Sequence, residues 1–397
     1  MPQTSSRDRP TPSRQLLCWW RVTSLRKGEV PTGRRPIRVT LVGPSLDILG
    51  GQAVQASRLL ERFQASPALQ PDFLPVNPRL PGPLRALQRV KYLRTLVTSV
   101  AYVATLLWRL PRTQVVHAFS ASYWSFLLAP APAIVLGRLL GRRVVLNYRS
   151  GEAEDHLRRW HRTALPVMRL AHRIVVPSGY LVEVFGRRGL VVTAIPNFAD
   201  SDRIPFRERI PLRPRFLCNR NFEPLYNIFC VLRAFAHIQA RVPEAELVLV
   251  GQGSLRDALV REVAELGLRA VTFAGAVAPE RMGEFYAAAD LYLNTPDIDN
   301  MPTSILEAFA AGIPVVSTSA GGIPWVVRHG ENGLLVDRND DEAVAREALR
   351  LLDDPALAVR LASAARAEAL QRYSWSAVER QWVDLYRGLV DESKRRA

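Results

Sequence analysis

Lysine is nearly missing from this 397-residue sequence; only Lys27, Lys91 and Lys394 occur, so arginine carries the basic charge. A function that needs an ammonium group between residues 92 and 393 is excluded, whereas arginine can still grip phosphate bidentately. Cysteine is just as scarce. Cys18, Cys218 and Cys230 are scattered, odd in number and free of CxxC pairing. That excludes a disulfide framework or zinc ribbon and fits a reducing compartment. Long apolar runs are lacking too. "TLVTSVAYVATLLW" (95–108) is 14 uncharged residues, short of the roughly 18–20 that a spanning helix needs. "AFSASYWSFLLAPAPAIVLG" (118–137) is broken by Pro130 and Pro132. We read neither as a membrane span. The apolar centre near the start, "LLCWW", is too short for a signal-peptide core, and residues 1–36 read as a mostly disordered basic tail.

Acidic residues are absent between Asp72 and Glu152, where 11 basic ones fall. Residues 1–151 hold 22 Lys+Arg against 5 Asp+Glu, a charge of +17, and the remainder is close to neutral at −1, for a net +16. Such a field favours an anionic surface: lipid headgroups, nucleic acid or phosphorylated substrates. The stretch around 84–110 is apolar with basic flanks, which reads as an interfacial helix or as a buried helix with a basic rim. No DNA or RNA module is recognisable, so no nucleic-acid partner is expected.

What is present is alternation. Strand-like runs at 37–45, 114–120, 142–150, 172–179 and 191–200 are separated by helical patterns. The Pro- and Arg-rich stretch 200–215 has no periodicity and reads as a linker. The pattern then restarts with "RFLCNRN", "AELVLVGQG", "AVTFAGAV", "ADLYLNT" and "GIPVVST". This predicts an α/β protein with two doubly wound parallel sheets, 37–199 and 216–375, and a ligand cleft between them at the strands' carboxyl ends. Residues 376–397 are expected to form a helix returning towards the first domain.

The densest cluster is "DIDNMPTSILEAFAAG" (297–312), with Asp299 and Glu307 on either side of a predicted helix start. Ser304 and Glu307 have capping-box spacing, which would make Glu307 structural. The other reading gives the helix N-terminus to a phosphate and the two acids to hydroxyl groups. Both stay open at this point. Glu152 and His156 share a predicted helix face with His161 nearby; we read this as a solvated face and expect no metal site. His117, at a strand end, is a structural histidine or a group near the site. "GQGSLR" (251–256) is too incomplete for a dinucleotide fingerprint and reads as a strand-to-helix turn.

Residues 299–336, "DNMPTSILEAFAAGIPVVSTSAGGIPWVVRHGENGLLV", resemble the C-terminal signature of the retaining glycosyltransferases of family 4. Their Glu-x7-Glu motif stands here as Asp-x7-Glu. The resemblance runs from Ile37 to about Tyr386 and implies a GT-B fold, two Rossmann-like domains facing across a cleft. It implies that Glu307 binds a ribose, that Asp299 contacts the donor sugar, and that backbone at Asn300, Met301, Pro302 and Thr303 touches sugar or diphosphate. Gly50, Gly51 and Gln52 match the family's glycine loop. Arg220 matches its diphosphate-binding arginine, but Leu225 or Tyr226 stands where its lysine would be. Arg149 stands where many relatives have histidine near the reacting sugar. The implied activity is retaining transfer from a nucleoside-diphosphate sugar, with no required cofactor, to a glycan or lipid-linked glycan in envelope polysaccharide or glycolipid synthesis. The implied location is cytoplasmic, with peripheral contact to an anionic inner membrane. The alternatives are a nucleotide-sugar epimerase of the same fold and a weakly active nucleotide-sugar-binding protein.

Overall fold

The computed structural model describes residues 35–46, 51–80, 88, 90–120 and 122–395. Residues 1–34 of the predicted tail, Gly50 and most of the loop before it lie outside them.

The first half carries strands β1 (Ile37–Gly43), β2 (Leu69–Pro75), β3 (Val115–Phe119), β4 (Arg143–Asn147), β5 (Arg173–Val176) and β6 (Thr193–Ala194). Its helices are α1 (Gly51–Gln64), α2 (Lys91–Arg109), α3 (Trp124–Leu128), α4 (Pro130–Leu139), α5 (Ala153–Arg159), α6 (His161–Arg169) and α7 (Gly179–Gly186). The second half has β7 (Arg215–Asn219), α8 (Ile228–Arg241), β8 (Glu246–Val250), α9 (Arg256–Glu265), β9 (Val271–Gly275) and α10 (Met282–Ala288). It continues with β10 (Leu291–Asn294), α11 (Thr303–Ala311), β11 (Val315–Thr318), β12 (Leu334–Val336), α12 (Asp341–Asp353), α13 (Pro355–Arg372) and α14 (Trp375–Lys394).

Both sheets are parallel. Their orders are β2-β1-β3-β4-β5-β6 and β12-β11-β10-β7-β8-β9. Central strands such as β3 (VVHAF) are buried on both faces, which is why they read as unbroken apolar runs rather than alternations. Sequence reading missed β2, whose "LQPDFLP" carries two prolines and an acid; it survives as an edge strand, where a lost N–H costs little. It also missed β12, three residues at the opposite edge of the other sheet.

The linker is bound to the second half rather than loose. Arg207 and Arg213 pair with Asp290, which is fully buried. The Arg209 guanidinium, also buried, donates to the carbonyls of Tyr286, Ala289 and Ala311 at 2.6–2.8 Å. It thereby caps the C-terminal ends of α10 and α11, where the helix dipole favours a cation. The chain then crosses back. Val378, Trp382, Tyr386 and Leu389 of α14 are buried among Val39, Leu41, Phe63 and Val145 of the first half.

Candidate functional site

Two parallel sheets bring their loops together at the carboxyl ends of the strands. In the second sheet the strand order reverses between β7 and β10, and crevices form at such switch points. Arg220 follows β7; Asp299 and α11 follow β10. A cavity of about 230 Å³ opens here, lined from one side by Gln55 and Arg58 of α1 and from the other by Arg220, Gly251, Thr303, Ser304 and Glu307.

The capping box is overturned. The N-cap of α11 is Pro302, which has no side-chain oxygen, and Ser304 lies inside the helix. Proline sets an extended entry and leaves the first amides of α11 without a side-chain cap, so Thr303 and Ser304 face the cavity with a positive helix end. Glu307 falls in the second turn rather than the first. Its Oε1 accepts from the Arg58 guanidinium at 2.5 Å, and its Oε2 accepts from the Tyr286 hydroxyl at 2.7 Å. The charge of Glu307 is the chief reason that the Arg58 pKa is raised. Burial pushes the Tyr286 pKa well up, which keeps that hydroxyl a donor. Gly312 closes the helix in the left-handed conformation, φ 72°.

Arg220 pairs with Asp299 and donates to Ser304 Oγ at 3.2 Å. Tyr226, one of the two residues at the missing lysine's place, lies under its guanidinium, 4.1 Å from ring centroid to Cζ. Burial alone would lower the Arg220 pKa, but the charge of Asp299 overrides it and the pKa is raised. Its Nε is buried without a partner among the described residues.

The loop before α11 is clamped. The Ser178 hydroxyl donates to Asn300 Oδ1, and Asn197 Nδ2 donates to the Met301 carbonyl at 2.6 Å. Gln55 Nε2 donates to Thr303 Oγ1 at 3.0 Å. Asn300 and Met301 are therefore buried and hold the loop; Asp299, Asn300, Met301 and Pro302 do not line the cavity. Gly321 and Gly322 follow from the same packing. A Cβ on either would strike the Asp299 or Asn300 carbonyl oxygen, so the Gly-Gly of the signature is a close approach of backbones. "GQG" is likewise a turn: Gly251, at φ 152°, and Gly253 press on the backbone of Arg220 and Phe222.

Arg149 lies just beyond β4. It donates to Asn147 Oδ1 at 3.1 Å, to Asn197 Oδ1 and, weakly, to Gln55 Oε1 at 3.5 Å. That fixes Asn147, whose Nδ2 donates to His117 Nε2 at 2.9 Å, so the His117 proton sits on Nδ1 facing the Tyr386 hydroxyl at 2.5 Å. His117 is fully buried between Phe119 and Trp382. Burial, with help from Arg149, pushes its pKa down to about 3. It is a structural histidine that props Asn147. His156 is corrected as well. It is fully buried rather than on a solvated face, and Nδ1 meets the Tyr148 hydroxyl at 2.9 Å. No group of metal-ligating residues forms among the described residues. Gly51 and Gln52 open α1, whereas Gly50 lies outside the described residues.

The structure brings Arg220, Asp299, Thr303 and Glu307 into one neighbourhood, with Arg149 beside them. Sequence reading missed Gln55, Arg58, Ser178 and Asn197. The one available signal was the i, i+3 spacing of Gln55 and Arg58 on the helix that follows the glycine loop.

These features define a class: two facing doubly wound units with a cleft for an anionic ligand at the strands' carboxyl ends, the GT-B fold. Solved structures of that fold overlay on nearly the whole chain. Sucrose-phosphate synthase from Thermosynechococcus elongatus gives a TM-score of 0.70 at 21% identity, covering 90% of this chain and 100% of that one. HepE from Anabaena, in complex with UDP-glucose, gives 0.71 at 18% identity, covering 89% and 100%. Residues 200–368 match the family model "Glycosyl transferases group 1". The fold of the chain is GT-B. A GDP-mannose-dependent alpha-(1-6)-phosphatidylinositol monomannoside mannosyltransferase of Mycobacterium tuberculosis is 30% identical over 201 residues, 49% of this chain and 52% of that protein. A D-inositol 3-phosphate glycosyltransferase of Rhodococcus jostii is 33% identical over 204 residues, 49% and 45%. The match to these curated relatives spans about half of their length.

Proposed function

We propose that the protein is a retaining glycosyltransferase of family 4, moving a sugar from a nucleoside-diphosphate sugar to a hydroxyl of a glycan or lipid-linked glycan. The observation that carries this is the uncapped N-terminus of α11 set between Arg220 and Glu307. Amides and a guanidinium suit a diphosphate, and a carboxylate four residues along the same helix suits ribose hydroxyls. The diphosphate leaves onto Arg220 and the helix end, whose charge stabilisation needs no reorganisation. The acceptor hydroxyl attacks the anomeric carbon from the face the diphosphate leaves, and a diphosphate oxygen takes its proton. Asp299 holds Arg220 in place for this step.

The acceptor side is read from the first half. A second cavity, about 510 Å³, is lined by Arg79, Arg94, Thr95, Ser99 and Ser125, with no carboxylate among the described residues of its wall. Beside it α2 exposes Leu96, Val100, Leu107 and Trp108, while its Tyr102 and Leu106 face the core. No helix among the described residues is long and apolar enough to cross a membrane. An apolar stripe with arginines and no acids suits the surface of an anionic bilayer carrying a lipid-linked acceptor.

Turnover tests the reading. Incubated with its donor and a membrane extract, the protein should release nucleoside diphosphate and yield a glycolipid whose new anomeric centre keeps the donor's configuration by NMR. An inverted centre would contradict retention. An epimerised nucleotide sugar with no free diphosphate would replace the transferase reading by the epimerase one.

A further inference from the structure

Charges in the cleft pair off, with one exception. Glu307 is matched by Arg58 and Asp299 by Arg220. Arg149 has no carboxylate partner among the described residues. Its acceptors are the side-chain amides of Asn147, Asn197 and Gln55, and Phe119 lies 6.0 Å from its Cζ. Burial brings its pKa down to about 10, which leaves it charged at neutral pH. A half-buried guanidinium held only by neutral amides keeps a charge that an anion can match.

The place of that anion follows from the order of groups along the cleft. Glu307 and the amides of Thr303 and Ser304 mark the nucleoside and diphosphate in turn. The next stop in the same direction is the Asp299–Asn300 loop, and the loop of Arg149 packs on it. The Arg149 carbonyl accepts from Asn300 Nδ2 at 3.5 Å, and a Cβ on Gly151 would lie 3.5 Å from the Asp299 carbonyl carbon. Nε and Nη1 are committed to amides, so the guanidinium is fixed at this end rather than free to swing to the diphosphate. Nη2 has no acceptor among these contacts and is left to donate to a carboxylate oxygen.

Resting on the donor reading above, we propose that Arg149 selects an acidic sugar, its carboxylate seated against the guanidinium at the sugar end of the cleft. The carboxylate belongs either to the donor sugar or to the sugar residue of the acceptor.

The test uses the full chain and its Arg149→His and Arg149→Lys variants, with folding checked by thermal unfolding. Calorimetry compares UDP-glucose with UDP-glucuronate and GDP-mannose with GDP-mannuronate. A second arm titrates methyl glucuronide against methyl glucoside with saturating nucleoside diphosphate. The expected result is a preference of at least about tenfold for the acidic ligand in one arm, kept in part by Arg149→Lys and abolished by Arg149→His. The first arm marks a donor carboxylate, the second an acceptor carboxylate. Two results overturn the inference: no preference in either arm, or equal loss of plain nucleoside diphosphate and acidic conjugate in Arg149→His, which would give the guanidinium to the diphosphate. If the wild type binds no nucleotide at all, the donor reading itself fails.

Discussion

Asn147 is a single residue that joins two roles. Its oxygen receives Arg149 and its amide props His117, so one side chain ties a cleft cation to a core histidine. His117 and His156 are both fully buried, and burial pushes their pKa values down to about 3 and about 4. The groups acting on them are Arg149, which lowers His117 further, and Asp155, which partly opposes the shift at His156. With folded-state values depressed, stability is fully present above the ordinary histidine pKa. It is lost as pH falls through that value towards the folded ones, because the unfolded chain then binds more protons. Between pH 6.5 and 5 the expected slope is up to about 1.4 kcal/mol per pH unit for each of the two. Urea midpoints across that window check it. His117→Asn should show a shallower slope than wild type; parallel slopes would mean that His117 is protonated in the fold.

At the scale of elements, α1 and α2 do different work. Along α1, Gln55 and Arg58 reach Thr303 and Glu307 of the second half, and Arg62 reaches Asp200 of the linker. Along α2, one face is core and the other is the apolar stripe. Replacing both Leu96 and Val100 by Glu should cut binding to vesicles containing anionic phospholipid by about tenfold or more, since it removes apolar burial and adds repulsion. Flotation with matched neutral vesicles is the comparison, and unchanged thermal unfolding shows that the core face is intact. Equal binding by the double variant would assign the stripe another role. These elements also mark the limit of what the sequence reveals. The buried strands and α11 were legible because each is a short contiguous pattern. β2 was not, because Pro71, Asp72 and Pro75 mask an edge strand. Glu307, Asp299 and Arg220 were legible through local motifs, whereas Arg58 meets Glu307 only through tertiary structure, 249 residues apart. Ser304 and Glu307 misled by spacing alone, because the helix is capped at Pro302, two residues before Ser304, and Arg58 claimed the carboxylate.

Over the whole molecule, charge and chain path agree. The basic excess lies in the first half, with the α2 stripe and the carboxylate-free cavity. The second half binds its own linker through Arg209 and Asp290, and α14 returns to complete the core of the first. The cleft has Leu225 or Tyr226 where the resemblance would put a lysine, and α1 adds Arg58 from the opposite wall. The central claim is that this cleft receives a nucleoside-diphosphate sugar between α11 and α1. Thermal unfolding with UDP-, GDP- and ADP-sugars at millimolar concentration, for wild type and Glu307→Ala, tests it most directly. The expected result is a rise in Tm with one nucleotide series, about 2.7 kcal/mol of added stability at a hundredfold excess over Kd, and its loss in Glu307→Ala. No stabilisation of the folded wild type by any of them, or equal stabilisation of the variant, would contradict the account.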